Sequence, residues 1–352
     1  MLKKFKKKPL AVCIALVMVL TLAACGGNGN GGGNGGTTPT GDAPIEFIIN
    51  HVVALDDPLH LAWEYFAEIL EERSDGRIAV TIFGNRILSN SCLESAESVR
   101  QGIAHMTSNP PSAVAALGDT AGLRIFDFPY MFENLDELHI FLDSDVFREI
   151  SAQHEAATGT RALPGFSIGW VNVMANSPMD SLTDLEGLRI RTMPSDIQMA
   201  VMASVGSSPT PISFGELFTA AQQGVVDGLI TSTSLMVSER FYEVCSHMLN
   251  WQILANSHVP HVNVEWYNAL PADLQEIFDE AYRDFVAYAR DLLARHEQYS
   301  LAILAERGVT IHNLTPAFRE EIRAATQSVF DDFGHEVGPG VIDAVKALLG
   351  RE

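Results

Sequence analysis

The sequence has few basic residues for a chain of 352 residues. Five of its 23 lysines and arginines lie within the first eight residues, which leaves 18 basic residues against 44 acidic ones. Binding to nucleic acid needs a basic surface that neutralises phosphates. The shortage therefore excludes a nucleic-acid partner. Any anionic ligand must be held by local groups that overcome the net charge.

Cysteine is also scarce, with four residues in the whole chain. Cys13 and Cys25 belong to the N-terminal segment, whereas Cys92 and Cys245 lie 153 positions apart. A disulfide bond between them cannot be inferred from this spacing. We expect Cys92 and Cys245 to be free thiols, buried in separate lobes.

The motifs of cofactor and metal sites are missing as well. The sequence contains no P-loop, no dinucleotide-binding fingerprint and no paired-cysteine zinc motif. His258 and His261 lie three residues apart, but Pro260 breaks any helix that would align them as metal ligands. We expect solvent-facing or packed histidines there, and neither a cofactor nor a metal ion.

Only one apolar run approaches the length of a membrane span. It covers 16 residues from Pro9 to Ala24, whereas a spanning helix needs roughly 20. Together with the lysines before it, this run predicts that residues 1–24 are a cleaved export signal. The residues LAAC at 22–25 resemble a lipobox, so Cys25 is expected to carry a lipid anchor. An ordinary signal peptide with a fortuitous cysteine is the alternative.

Residues 25–43 are then predicted to form the lipid anchor and a flexible tether, since glycine, asparagine and threonine dominate them. The mature protein is expected on the outer face of the cytoplasmic membrane or in a periplasm, and the tether favours a single-membrane cell surface. The remaining body, roughly 310 residues, is too long for one simple core and predicts two lobes.

Strands and helices alternate in the first part of this body. Residues 45–52 and 77–83 predict strands around an amphipathic helix, and a helix near 93–102 leads to a strand around 105–107. This alternation predicts parallel strands with right-handed crossovers, and hence an α/β fold. Ligands of such sheets lie at the carboxyl ends of the strands.

Two long helices are predicted further along the chain. One covers about 135–158. The other covers Pro271 to Arg307, with proline near its first turn and Gly308 just beyond its end. A helix of about 35 residues spans roughly 50 Å and could bridge both lobes.

The most informative segment surrounds Arg191. Leu188 and Ile190 alternate with Arg189 and Arg191, which predicts a short strand with two guanidinium groups on one face. After Pro194, the residues Ser195 to Gln198 have the spacing of a capping box, so a helix should begin at Asp196 and direct its free N–H groups toward Arg191. This arrangement suits a small carboxylate.

Several segments, in this order, resemble the solute-binding proteins of tripartite ATP-independent periplasmic (TRAP) transporters. They are GRIAVTIFGNRIL at 76–88, ESVRQGIAHM at 97–106, FDFPYMF at 126–132, DLEGLRIR at 184–191 and FGELFTAAQQGVVDG at 214–228. The resemblance extends over residues 45 to about 335. It implies a protein that binds a small organic acid outside the cytoplasm and delivers it to TRAP membrane subunits.

The resemblance also implies a two-lobe periplasmic-binding-protein-like fold, with crossing strands and a long interlobe helix. Lobe I would comprise residues 44–168 and about 257–296, and lobe II residues 169–256 and about 297–352.

By resemblance, Arg191 is the basic residue that pairs with the ligand carboxylate, and its planar guanidinium suits that geometry. Phe214 corresponds to an aromatic wall of the site. Thr231 stands where many members have a ligand-binding asparagine. Asn50 matches a polar contact at the end of the first strand, and Asn109 lies near another.

One departure from the family bears on the ligand. Where many dicarboxylate binders have a second arginine after a glycine, this chain has Trp170, Val171 and Asn172 after Gly169. We therefore expect Trp170 and Asn172 to contact a more apolar ligand with one carboxylate, such as an aromatic or branched oxo or hydroxy acid.

Two other functions are compatible with parts of the sequence. A ligand-presenting sensor module for a membrane receptor would have the same binding features. A secreted serine hydrolase would use Ser167, because GFSIG at 165–169 matches the G-x-S-x-G pattern. That pattern requires a helix after the serine, whereas the residues that follow predict a strand, so we do not expect an enzyme.

Overall fold

Strands and helices alternate in the first part of the fold, in the predicted order. The computed structural model describes residues 43–118 and 120–351, so the predicted signal peptide, Cys25 and nearly all of the tether lie outside the described residues. Strand β1 pairs in parallel with both β2 and β3, which confirms the parallel arrangement. The elements are β1 (Ile45–Asn50), α1 (Pro58–Arg73), β2 (Ile78–Phe83), α2 (Cys92–Arg100), β3 (Met106–Asn109) and α3 (Pro111–Ala115).

The middle of the chain forms short helices and strands. They are α4 (Leu135–Leu142), α5 (Asp145–Thr158), β4 (Thr160–Ala162), β5 (Phe166–Ala175), β6 (Arg189–Thr192), α6 (Asp196–Ser204), β7 (Ser208–Pro211), α7 (Leu217–Gln222), β8 (Gly228–Ser232) and α8 (Thr233–Ser238).

The single helix predicted over 135–158 is wrong, because it is divided into α4 and α5. Ser144 is the N-cap of α5, and its hydroxyl accepts a hydrogen bond from the Phe147 N–H at 3.2 Å. The same hydroxyl donates to the Phe141 carbonyl at 2.6 Å. The Ser144 hydroxyl therefore bonds to the backbone at the end of α4 and at the start of α5. These bonds take the place of the backbone hydrogen bonds that a continuous helix would form.

The last part of the chain contains the longest strand and the longest helix. Its elements are β9 (His247–Asn263), α9 (Val264–Ala269), α10 (Ala272–Glu306), β10 (Thr310–Asn313), α11 (Pro316–Phe333) and α12 (Val341–Leu348). The 35 residues of α10 confirm the predicted long helix, with Pro271 at its N-cap. Across the described ranges, no helix combines the length and apolar character that a membrane span requires.

A ten-stranded mixed sheet organises the body, with the order β2-β1-β3-β9-β5-β8-β6-β7 and with β4 and β10 paired to β9. Strand β9 joins two halves of the sheet, one formed by β1 to β4 and the other by β5 to β8 and β10. Its C-terminal part pairs with β3 and β4, and its N-terminal part pairs with β5 and β10. The lobe boundaries inferred from the sequence stay a prediction.

Apolar side chains fill the space on both sides of this sheet. One core packs α1 and α10 against β1, with Trp63, Phe66 and Phe285 fully buried. The largest core contains residues of β5, β9 and α11. The cores hold the ends of the strands in place, and the ligand-sized cavity described below lies between segments from both halves of the sheet.

The start of helix α1 buries a carboxylate. Asp57 is the N-cap, and its side chain accepts hydrogen bonds from the Leu59 N–H at 2.9 Å and from the Ser238 hydroxyl at 2.8 Å. Burial raises the pKa of Asp57 to about 6, although the two hydrogen bonds act in the opposite direction. Because the folded state binds this proton more tightly than the unfolded chain, ionisation of Asp57 destabilises the fold as the pH rises toward and past 6.

The variant Asp57→Asn should lack this pH dependence. The difference in the free energy of unfolding, wild type minus variant, should decrease by roughly 2–3 kcal/mol between pH 4 and pH 7. Urea denaturation of both proteins at several pH values measures it. The variant Asp56→Asn, at an exposed neighbouring carboxylate, controls for loss of one negative charge. A difference that stays constant with pH for Asp57→Asn would contradict the assignment.

Candidate functional site

Arg191 lies at the centre of the candidate site, on strand β6. This strand pairs in parallel with β7 on one side and β8 on the other. The guanidinium of Arg191 donates to the Ile212 carbonyl at 2.9 Å and lies 3.5 Å from the Ile230 carbonyl oxygen. Only 2% of the residue is exposed. The two adjacent strand ends therefore fix the direction of the side chain.

The charge of Arg191 has no acidic partner among the described residues. Burial lowers the pKa of Arg191 to about 10, so the group keeps its proton at neutral pH. A buried charge without a partner costs several kcal/mol, and two carbonyl contacts leave most of the five guanidinium N–H donors available. The site is thus preorganised for an anion.

In contrast, Arg189 on the same strand is already paired. Its guanidinium donates to both carboxylate oxygens of Asp227, at 3.0 and 2.6 Å, on the surface of the protein. Arg189 is therefore a surface residue that stabilises the strand rather than the cavity. Only Arg191 turns its charge toward the interior.

Helix α6 begins at Asp196, as predicted, and lies beside Arg191. Its N-cap Ser195 accepts from the Gln198 N–H at 3.3 Å. The Gln198 side chain does not complete the capping box, because its amide donates to the buried Asp127 carboxylate at 2.8 Å. Ser195 donates to the same carboxylate at 2.7 Å. Asp127 thereby holds the first turn of α6 in place.

A cavity of about 170 Å³ lies next to Arg191. Pockets for drug-sized ligands usually measure about 300–1,000 Å³, so this one suits a small molecule. Most of its wall is apolar and comes from both halves of the sheet, through Val52, Val53, Leu93, Pro110, Ala113, Ala116, Val171, Met193, Pro194, Phe214, Ile230 and Leu235.

The polar groups around this cavity are neutral apart from Arg191. His258, on β9, is buried, and burial lowers its pKa to about 3, so the imidazole is uncharged at neutral pH. Ser112, in the first turn of α3, has a buried hydroxyl without a hydrogen-bond partner among the described residues. These groups offer hydrogen bonds to a ligand but no second positive charge.

Three of the residues singled out in the sequence line the cavity together. Arg191, Phe214 and Thr231 come from three separate segments, which the parallel strands β6 and β8 bring to one edge of the sheet. The position that the resemblance assigns to each is compatible with ligand contact. Their roles in ligand binding stay predictions.

The other four candidates do not line the cavity. Strand β5 explains two of them, because Val171 faces the cavity and neighbouring residues of a strand point to the opposite face. Asn172 makes its own structural bonds, donating to Thr233 at 3.1 Å and accepting from the Gln252 N–H at 3.1 Å. Trp170 is buried beside it, and its backbone N–H donates to the Glu297 carboxylate at 2.9 Å.

The side-chain amide groups of Asn50 and Asn109 likewise contact protein acceptors, although the Asn50 side-chain oxygen has no partner among the described residues. The Asn50 amide donates to Ser89 at 2.8 Å and to Ser98 at 3.2 Å. The Asn109 amide lies 3.4 Å from the Thr107 hydroxyl, and the cavity wall begins at the next residue, Pro110.

The sequence interpretation missed Cys92. Instead of lying buried in a lobe core, Cys92 lines the cavity at the start of α2, whereas Cys245 is buried, and both thiols are free. Burial raises the pKa of the Cys92 thiol to about 11, and the nearby Arg191 charge acts in the opposite direction. The S-x-x-E capping signal that begins at Ser91 locates this helix start, but not which side chain faces the cavity.

His258 was also missed as a cavity residue, because a histidine in a buried strand carries no signal of its orientation. Both His258 and His261 are buried on β9, which is the packed alternative that the sequence left open. Within the described ranges, no three metal-ligating side chains come together.

Ser167 is not at a strand-to-helix turn. Strand β5 continues past it to Ala175, and its hydroxyl donates to the Gly169 carbonyl at 2.7 Å. A nucleophile elbow needs an exposed serine at a sharp turn before a helix. The G-x-S-x-G pattern therefore has no elbow geometry here.

Comparison with known proteins supports the resemblance. The C4-dicarboxylate-binding periplasmic protein DctP of Rhodobacter capsulatus is 27% identical over 311 residues, which cover 88% of this chain and 92% of that protein. The 2,3-diketo-L-gulonate-binding periplasmic protein YiaO of Escherichia coli is 25% identical over 294 residues, or 83% of this chain and 88% of that protein.

Solved structures have the same fold. One is a sugar acid binding protein from Advenella mimigardefordensis in complex with galactonate, with a TM-score of 0.82, 25% identity, and coverage of 87% of this chain and 99% of that one. A TRAP periplasmic solute-binding protein from Shewanella oneidensis with bound succinate gives the same four values. These likenesses confirm the predicted two-lobe α/β fold.

The family model of the bacterial extracellular solute-binding proteins, family 7, matches residues 49–336. That range contains every residue that lines the cavity, from Val52 to His258. With the fold, the buried arginine and this match in agreement, the chain belongs to family 7 of the bacterial extracellular solute-binding proteins.

Proposed function

We propose that the protein captures a small organic acid outside the cytoplasm through Arg191 and delivers it to the membrane subunits of a TRAP-type secondary transporter. The observation that carries the proposal is a buried guanidinium at the wall of a small cavity, with no acidic partner within residues 43–118 and 120–351. Relatives bound to galactonate and to succinate support an acid as the ligand.

The acid bound by this chain has one carboxylate and an apolar remainder. Of the residues that the structure describes, Arg191 is the one arginine that lines the cavity, whose wall is otherwise apolar or neutral. A second carboxylate would lose its hydration there without gaining a partner. Small branched or aromatic oxo and hydroxy acids meet both conditions, and the small volume favours the branched ones.

A panel of acids tests this class. Isothermal titration calorimetry should detect binding of 3-methyl-2-oxobutanoate or phenylpyruvate, and succinate and malate should bind at least tenfold more weakly, because their second carboxylate stays unpaired. The dicarboxylates serve as the control for charge alone. Submicromolar binding of succinate with no response to the other acids would refute the proposed class.

Arg191→Ala should weaken binding of the preferred acid by about 2–5 kcal/mol, or roughly 30- to several-thousand-fold, because a buried carboxylate loses its charged partner. Calorimetry of both proteins measures the change. Arg189→Ala is the matched control, since it removes an arginine from the same strand that already pairs with Asp227. If Arg191→Ala lost less than threefold in affinity, Arg191 would not be in the site.

We further propose that Cys25 carries the lipid that anchors the protein. Two or three acyl chains on one cysteine are enough for stable membrane attachment. Mass spectrometry of the protein expressed with its signal should find Cys25 as the lipidated N-terminus, and Cys25→Ser should release the protein from the membrane fraction. An unmodified N-terminus after cleavage at another residue would indicate an ordinary signal peptide.

A further inference from the structure

Arg86 lies in a tight turn directly after strand β2. Both Asn85 and Arg86 have a left-handed backbone, with φ of 53° and 63°. Non-glycine residues adopt this conformation at a cost. The turn directs the Arg86 guanidinium across to Glu239, where two parallel hydrogen bonds form at 3.1 and 3.0 Å.

The Arg86 guanidinium also contacts two residues of the cavity wall, from the side that faces away from the cavity. It donates to the Val52 carbonyl at 3.1 Å, and its central carbon lies 5.7 Å from the centre of the Phe214 ring. Val52 and Phe214 both line the cavity, although they are far apart in the sequence. A cation over an aromatic face is attracted to it, so Arg86 fixes the position of Phe214 relative to Val52.

The backbone also approaches closely at this place. A Cβ atom on Gly215 would lie 2.7 Å from the carbonyl oxygen of Asn90, nearer than atoms of these types approach. Gly215 follows Phe214, and Asn90 precedes the helix start at Ser91 and Cys92. Because Gly215 has no side chain, the backbone at Gly215 and the backbone at Asn90 can approach each other at the cavity wall.

We propose that Arg86, Glu239 and Gly215 form a clamp that holds the cavity closed and thereby slows ligand release. Apart from the bond to Val52, each contact joins residues 86–90 to residues 214–239. The ion pair is sheltered, with 25% and 10% of the two side chains exposed. Exposed pairs contribute little to stability, whereas a bidentate and sheltered pair is stronger. Arg86 and Glu239 are positioning residues, since they lie behind the wall. This inference rests on the proposed function for its ligand, but not for closure itself.

Cys92 provides a measurement of closure that needs no ligand. Its thiol lines the cavity, and thiolate, the reactive form, is rare while the site is closed and the pKa is raised. Opening exposes the thiol and increases its alkylation. The experiment uses the mature chain with Cys25→Ser, and a variant that also carries Cys92→Ser subtracts any reaction of Cys245.

Iodoacetamide labelling at pH 8 should be at least fivefold faster in Arg86→Glu and in Glu239→Arg than in the reference protein. The double variant Arg86→Glu/Glu239→Arg should restore slow labelling, because it rebuilds the pair with reversed charges. The steric variant Gly215→Ala should also accelerate labelling, without any change of charge. For bound 3-methyl-2-oxobutanoate, the single variants should dissociate at least fivefold faster.

Arg290→Glu is the matched control. Arg290 also forms a bidentate pair, with Asp143 at 2.7 and 2.8 Å and a sequence separation of 147 residues, but it lies away from the cavity. It should leave labelling of Cys92 unchanged. Equal labelling rates in all variants, or acceleration that the double variant does not reverse, would overturn the clamp. Failure of every acid to bind would overturn the proposed function alone, since labelling still decides the clamp.

Discussion

The structure depends on one unfavourable arrangement, a buried arginine without an acidic partner in the part of the chain that the structure describes. The cost of removing Arg191 from water is met only in part by two backbone carbonyls. The rest of the fold keeps the side chain there, because β6 lies between two parallel strands and cannot turn it outward. If Arg191 binds the ligand as proposed, the ligand carboxylate supplies the missing negative charge, and the buried cation gains its partner in the same event. The net negative charge of the chain repels anions in general. It therefore disfavours any anion that does not pair with a local cation.

Parts of this architecture follow directly from local sequence. The helix start at Asp196 and the limits of α10 were predicted because serine, proline and glycine act on the backbone within one turn. The division between α4 and α5 was not, since Ser144 can either cap a helix or lie within one. Parallel pairing of β1 with its neighbours followed from the alternation of elements, whereas the antiparallel position of β9 between both halves depends on contacts distant in sequence.

The sequence likewise predicted only part of the candidate site. Arg191, Phe214 and Thr231 share the cavity because each lies near the end of a strand or in the turn after it. Trp170 and Asn172, the residues that the sequence suggested, lie on either side of Val171, which is the residue of strand β5 that lines the cavity. In a strand that is buried on both faces, the hydrophobic pattern does not reveal which residues face which side. Cys92 and His258 were missed because their orientation comes from tertiary packing alone.

The 17-residue strand β9 has a further consequence, for the order in which the protein can fold. Both β3 and β5 need residues 247–263 as a hydrogen-bonding neighbour, although they end at Asn109 and Ala175. Until that late segment is present, each has an unpaired edge that can associate with other chains. Pairings across such distances form slowly. Neither half of the sheet is therefore an independent folding unit, and a fragment that stops before residue 247 is expected to aggregate rather than fold as a smaller binding protein.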